Sequence, residues 1–260
     1  MSAHAARTVV SPMLLRLAAE RATGALLRDH GTLYLVDGRV THAESPVAPG
    51  LDVLLAAGGR LPREGWEEAV DRAGARHQVG RFLVDSGRIG DGELEICHLA
   101  ALYDAAFFAL APASGPTRFR YGVSHWIGPV RPVSAVDVER ETLRRRELLD
   151  SVWPYPTVDT APVVPRPAAP GQSVTARQRA LLAHADGVRT PAALAWALGR
   201  PAFHTLLDTR RLAAAGLVET PCEPAPPVAS PPVPDWVKDI AADPDIALLR
   251  RLRDALEAHL

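Results

Sequence analysis

The side chains able to do chemistry are few, and their spacing does not gather them. Cys97 and His98 are adjacent in a segment, Asp91 to Leu110, that reads as one long helix, and adjacent helical residues point about 100° apart. His98 and Asp104 are six positions apart and fall on different faces, so no His–Asp relay is expected. His42 lies near the end of an alternating run and reads as structural, and His125-Trp126 reads as a buried, hydrogen-bonded imidazole beside an aromatic ring. No G-x-x-x-x-G-K-[ST], H-E-x-x-H, C-x-x-C or G-x-S-x-G occurs. The expectation is a non-enzyme with no catalytic residue, metal set or cofactor.

What remains is recognition. Residues 173 to 220 hold six arginines (177, 179, 189, 200, 210, 211) against Asp186, Asp208 and Glu219, a local excess of three positive charges in a chain of formal net charge -1. On a helix expected from Pro201 to Ala215, Arg200, His204, Thr205, Arg210 and Arg211 are the candidate readers of DNA base edges and phosphates. Tight duplex binders make about six to ten phosphate contacts. One copy falls short of that, and a homodimer would supply it. The competing reading makes Arg210 and Arg211 a solvated face and this unit a protein-docking module.

A second candidate surface is the helix from Val136 to Trp153, thin in apolar positions and dense in Glu and Arg. Exposed i, i+4 pairs such as Glu141 with Arg145 stabilise by only a few tenths of a kcal/mol. It therefore reads as an exposed connector, with Arg145, Leu148, Leu149 and Trp153 as a face for an unidentified signalling protein.

The elements that must position these residues are well punctuated. Ser11 and Pro12 open a helix over residues 9 to 22. Residues 25 to 28, 32 to 36 and 39 to 44 read as a three-stranded meander, with a hairpin at Asp37-Gly38. In it Leu33 and Leu35 share one face, and Val40 and His42 alternate with Thr41 and Ala43. Helices follow at Leu51, Pro62 and Gln78 and at Asp91, the last with Asp91 as cap, and Arg118 to Tyr121 reads as a fourth strand that returns to the meander.

Between two proline-rich stretches, three short helices each have their own start and stop: Thr175 to Gly187, Thr190 to Gly199 and Pro201 to Gly216. A strand-like Leu217-Val218-Glu219 follows, the pattern of a winged helix-turn-helix. The expected class is α+β, arranged as an adaptor domain over 1–132, a connector helix over 133–153, a Pro-rich linker over 154–172, a winged helix-turn-helix over 173–221, a second linker over 222–234 and an amphipathic terminal helix over 235–260.

A hydrophobic fraction of 47% and charged fraction of 23% fit a globular chain, and the near-zero net charge gives no global pull towards nucleic acid or anionic lipid. Only Lys238 accompanies 28 arginines, which reads as coding bias. Cys97 and Cys222 lie in unlike contexts, so no disulfide framework is expected. No run of 18 apolar residues occurs. A cytoplasmic protein without membrane contact is the expectation.

Thr23-Gly24, Leu33-Tyr34-Leu35-Val36, Asp37-Gly38-Arg39-Val40 and His42-Ala43, followed by the Leu51 to Leu55 helix, resemble the DUF4388, or PATAN, family. The block Val79-Gly80-Arg81-Phe82-Leu83-Val84, Gly87-Arg88-Ile89 and Leu94 is similar to a pattern found in that family and in the N-terminal adaptor domains of secretion ATPases. The resemblance covers residues 10 to 125. It implies a non-catalytic bacterial signalling or protein-interaction module, found alongside receiver domains and small GTPase systems. The later helices are similar to winged-helix regulators, and the pairing resembles actinobacterial proteins labelled transcriptional regulators. Pro221 follows Val218 by three residues, which leaves little room for a wing.

Overall fold

A computed structural model describes residues 10–112, 116–168 and 172–220. The second proline-rich stretch, the terminal amphipathic helix and Cys222 lie outside the described residues. The first helix, α1 (Pro12–Ala19), starts as its sequence requires: Leu14 N–H donates to Ser11 Oγ at 3.3 Å, and Pro12 occupies the first turn. Leu14 and Leu17 face the core. The meander follows as β1 (Gly24–Arg28), β2 (Gly31–Val36) and β3 (Arg39–Glu44). Its hairpin centre has φ of 51° at Asp37 and 75° at Gly38, the left-handed pair of a type I′ turn.

Five helices and a fourth strand come next: α2 (Leu51–Ala57), α3 (Arg63–Ala73), α4 (Val79–Asp85), α5 (Asp91–Ala109), β4 (Arg118–Tyr121) and then, after a two-residue β5 (Val133–Ser134), α6 (Ala135–Val152). The sheet is antiparallel in the order β4-β1-β2-β3-β5, so residues 118 to 121 do return to the meander, against β1. Asp91 lies in the first turn of α5 and Gly90 at its cap, one position from the expected start.

Register within β2 and β3 departs from simple alternation. Leu33 pairs with Ala43 and Tyr34 with His42, but Leu35 pairs with Val40, which leaves Thr41 as the extra residue of a bulge. Val40 and Ala43 therefore join Leu33 and Leu35 in the core under α5, while His42 comes opposite Tyr34. Strict alternation would have put Val40 and His42 on the same face, and one extra residue reverses that.

The core runs in connected clusters. One lies between the sheet, α1, α5 and α6, a second among α2, α3, α4 and α5. The remaining helices are α7 (Ala176–His184), α8 (Pro191–Leu198) and α9 (Ala202–Ala214), with Thr175 and Gln178 forming a full capping box and Thr190 accepting from Ala193 N–H. A mixed α+β chain with a five-stranded antiparallel sheet is what the described residues form.

Two expectations about organisation are corrected. The expected linker over 154–172 is no free tether where it is described, over residues 154–168: Val158 and Val163 are buried against α7, α8 and α9. Their backbone is tied down as well, with Val163 N–H donating to Arg189 O (2.9 Å), Arg166 N–H to Leu217 O (2.8 Å) and Glu219 N–H to Val164 O (2.9 Å). Prolines lack the N–H that would mark a strand, but the residues between them pair normally. The helices after this segment therefore belong to the same compact unit as the sheet.

Nor is α6 an exposed connector. Val138, Thr142, Arg145 and Leu149 are buried, and Glu139 accepts from Ser11 N–H at 2.7 Å. Apolar periodicity underestimated α6 because half its burial is carried by polar side chains with intramolecular partners. Among the described residues no helix is long and apolar enough to cross a membrane.

Candidate functional site

The expected DNA readers do not form one accessible surface. Ten of the thirteen residues of α9 are buried, whereas a recognition helix must present a free face to the groove. Arg210 is 3% exposed: Nε and Nη2 donate to both carboxylate oxygens of Asp159 (2.8 and 2.6 Å), and Nη1 to Trp153 O (2.7 Å) and Asp150 (3.2 Å). Thr205 is buried and donates back to Pro201 O at 3.2 Å. These two cannot reach a base or phosphate. His204 and Arg211 are exposed and Arg200 half-exposed, with Arg211 3.5 Å from Asp208 and Arg200 3.4 Å from Arg177 O.

The expected partner face is likewise internal. Leu149 is 2% exposed and packs with Phe107, Phe203, Leu206 and Leu207, against which Leu148 and Val152 lie half-buried. Trp153 is half-buried against the cluster that holds Val158 and Val163. Arg145 donates to Glu141 (2.8 Å) and Tyr103 O (3.0 Å), and its guanidinium lies 4.6 Å from the Phe203 ring centroid. These residues are the seam between α5, α6 and α9.

That seam is fastened by Asp104. Its carboxylate accepts from Ala202 N–H (2.6 Å) and Phe203 N–H (2.8 Å), capping α9 from another element. Burial pushes its carboxyl up to about 6, against the pull of those two N–H groups and of Arg145.

A cluster that periodicity did not gather forms at the end of β3. His42 and Glu44, two apart on the strand, meet His125 from the loop between β4 and β5. The His42 and His125 rings stack at 3.9 Å, and His98 from α5 lies 5.4 Å from His42. The loop is pinned by Gly80 N–H to Ile127 O (2.9 Å), and Ile127 N–H donates to His125 Nδ1 (3.3 Å). That leaves His125 Nε2 as the donor to Glu44 Oε1 at 2.9 Å, while Tyr34 Oη donates to Glu44 Oε2 at 2.9 Å. The bulge is held from the other side, where His98 Nε2 donates to Thr41 O at 2.9 Å.

The electrostatics of the cluster follow from burial. Desolvation, then the neighbouring His125 and His98, hold His42 well below the usual imidazole range, and desolvation takes His98 down to about 4. Both are neutral at pH 7. The hydrogen bond from His125 lowers Glu44, and burial raises Tyr34. His42 Nδ1 and His98 Nδ1 are buried with no hydrogen-bond partner. His98 and Asp104, six positions apart on α5, make separate contacts, His98 with Thr41 O and Asp104 with the start of α9.

The cluster lines a cavity of about 190 Å³ with Ser45, Asp52, Trp66, Trp126 and Trp196. Beyond it a wider groove of about 800 Å³ opens between α2, α3 and α8, walled by Val53, Ala56, Val70, Leu198 and the same three tryptophans. Trp196 is 43% exposed, and Trp66 stands edge-on to Trp126 at 5.7 Å. Asp52, Arg63, Glu67 and Asp71 also line it; Arg63 is spent on Glu67 (2.8 Å), and Asp52 and Asp71 make no ion pair among the described residues. This arrangement offers an apolar, aromatic trough of negative charge, with the neutral His42 imidazole at its inner end. Comparison with protein families, with curated proteins and with solved structures finds no match for this chain.

Proposed function

We propose that this protein is a non-catalytic regulatory adaptor that binds a partner protein through the tryptophan-walled groove between α2, α3 and α8. The observation that carries the reading is the exposure of Trp196 beside Trp66 and Trp126 in an open trough, while α9 is spent on the core. Tryptophan is the residue most enriched at energetic hot spots of interfaces. The carboxylates of Asp52 and Asp71, neither in an ion pair among the described residues, favour a segment with apolar anchors and flanking Lys or Arg. The resemblance of residues 10 to 125 to PATAN interaction modules points the same way.

Display of random peptides against the full chain tests this. Enrichment of sequences that combine aromatic or aliphatic anchors with basic residues is expected, and Trp196→Ala or Asp71→Arg should abolish it. Enrichment of acidic sequences, or selection indifferent to both substitutions, would contradict the reading. DNA binding through half-exposed Arg200 and exposed Arg211 is the competing reading. A shift of genomic fragments at low salt that Arg211→Glu removes would revive it.

A further inference from the structure

We infer that His42, Glu44 and His125 form a binding site for a borderline transition-metal cation of the zinc(II) class, set at the inner end of the cavity. Their ligand atoms all lie within 4.8 Å of one another. A tetrahedral ion with bonds of about 2.1 Å holds its donors about 3.4 Å apart, so the donors must close by up to about 1.4 Å and the stacked His42 and His125 rings must tilt out of parallel to converge on it. His42 and Glu44 share a face because they are two apart on a strand, and the bulge at Thr41 is what turns that face towards His125.

Three further features favour a cation over a closed hydrogen-bond network. His42 Nδ1 is buried without a partner in a ring that is only 5% exposed, and burying an unpaired polar atom costs stability that a ligand bond would restore. Tyr34 Oη holds Glu44 Oε2, which orients the carboxylate and leaves Oε1 to the ion, as outer-shell donors do in metal sites. Two imidazoles and one carboxylate suit zinc, copper, nickel or iron, and not calcium or magnesium, which take oxygen sets.

On binding, the proton that His125 Nε2 now shares with Glu44 moves to Nδ1, at the expense of the long bond from Ile127 N–H. No proton leaves the imidazole. All three residues line the cavity, so a fourth position open to it would be filled by water or by a donor brought by whatever enters it. The inference stands independently of the peptide-docking reading, since the test uses the metal ion alone.

Tag-free full chain, stripped with chelator, is titrated with zinc(II) by calorimetry and with cobalt(II) in the visible. One equivalent should bind, with the absorption of four-coordinate cobalt and a raised melting temperature. Glu44→Gln should weaken binding at least about ten-fold and His42→Ala should remove the cobalt absorption, while His184→Ala, at an exposed histidine elsewhere, should change neither. Should His42→Ala fail to fold, Glu44→Gln, altered at a half-exposed carboxylate, decides alone. No stoichiometric binding, or binding unmoved by Glu44→Gln, would overturn the site.

Discussion

At the scale of single residues, the side chains that matter most hold segments together that are far apart in sequence. Asp104 and Arg210 are the two clearest cases. Removing Asp104 by Asp104→Ala leaves two buried N–H groups at the start of α9 without acceptors, an expected loss of about 2–4 kcal/mol in urea unfolding. Asp104 also titrates with a definite sign. Its folded value, about 6, lies above its ordinary one, so between roughly pH 4 and pH 6 the native state holds more protons than the unfolded state. Its contribution is therefore fully present in acid and is lost as pH rises through about 6. The stability difference between wild type and Asp104→Asn should fall over that window; a flat difference would contradict the assignment.

Arg210 gives a prediction of a different kind. It was a credible DNA reader by position and charge, and the structure makes it the most enclosed cation at the α9 seam. Arg210→Ala strands Asp159 and should cost about 2–3 kcal/mol, discounted from a fully buried pair because Asp150 and Asp159 remain partly hydrated. Denaturant midpoints check this. Sequence could not have distinguished the roles, because the two acids that claim Arg210 lie 51 and 60 positions away. The histidine cluster escaped notice for the same reason: His42, His98 and His125 come from a strand, a helix and a loop, and only the i, i+2 spacing of His42 and Glu44 was a local signal.

Elements were legible where local chemistry decides them. The Ser11, Thr175 and Thr190 caps, the Asp37-Gly38 hairpin and the return of Arg118 to Tyr121 all form at their expected places. The Thr41 bulge was not legible, because what stabilises it is the remote bond from His98. Nor was α6, half of whose buried residues are polar, Glu139, Thr142 and Arg145 beside Ala135, Val138 and Leu149. Leu149 discriminates the two views of that helix. As a partner-facing residue it would tolerate truncation within about 0.5 kcal/mol, but as a core residue Leu149→Ala should cost about 2–4 kcal/mol by calorimetry or denaturant.

On the scale of the whole molecule, the first proline-rich stretch has the composition of a boundary and the structure of a strap. Composition alone cannot tell a solvated polyproline tether from an extended segment that trades backbone bonds with residues 187 to 219. Amide hydrogen exchange at Arg166, whose N–H is bonded to Leu217 O, should accordingly be as slow as that of the core, and fast exchange there would show a linker instead. One consequence is that the helical unit is fastened by the strap, and in the function proposed above it is the tryptophan groove, not α9, that recognises the partner.

Photo-cross-linking in living cells, from an unnatural residue at position 196 compared with one at position 211, tests that claim most directly. The account predicts polypeptide adducts from position 196, in segments rich in apolar and basic residues, that disappear when Asp71→Arg is added. Nucleic-acid adducts from position 211 with none from position 196 would contradict it.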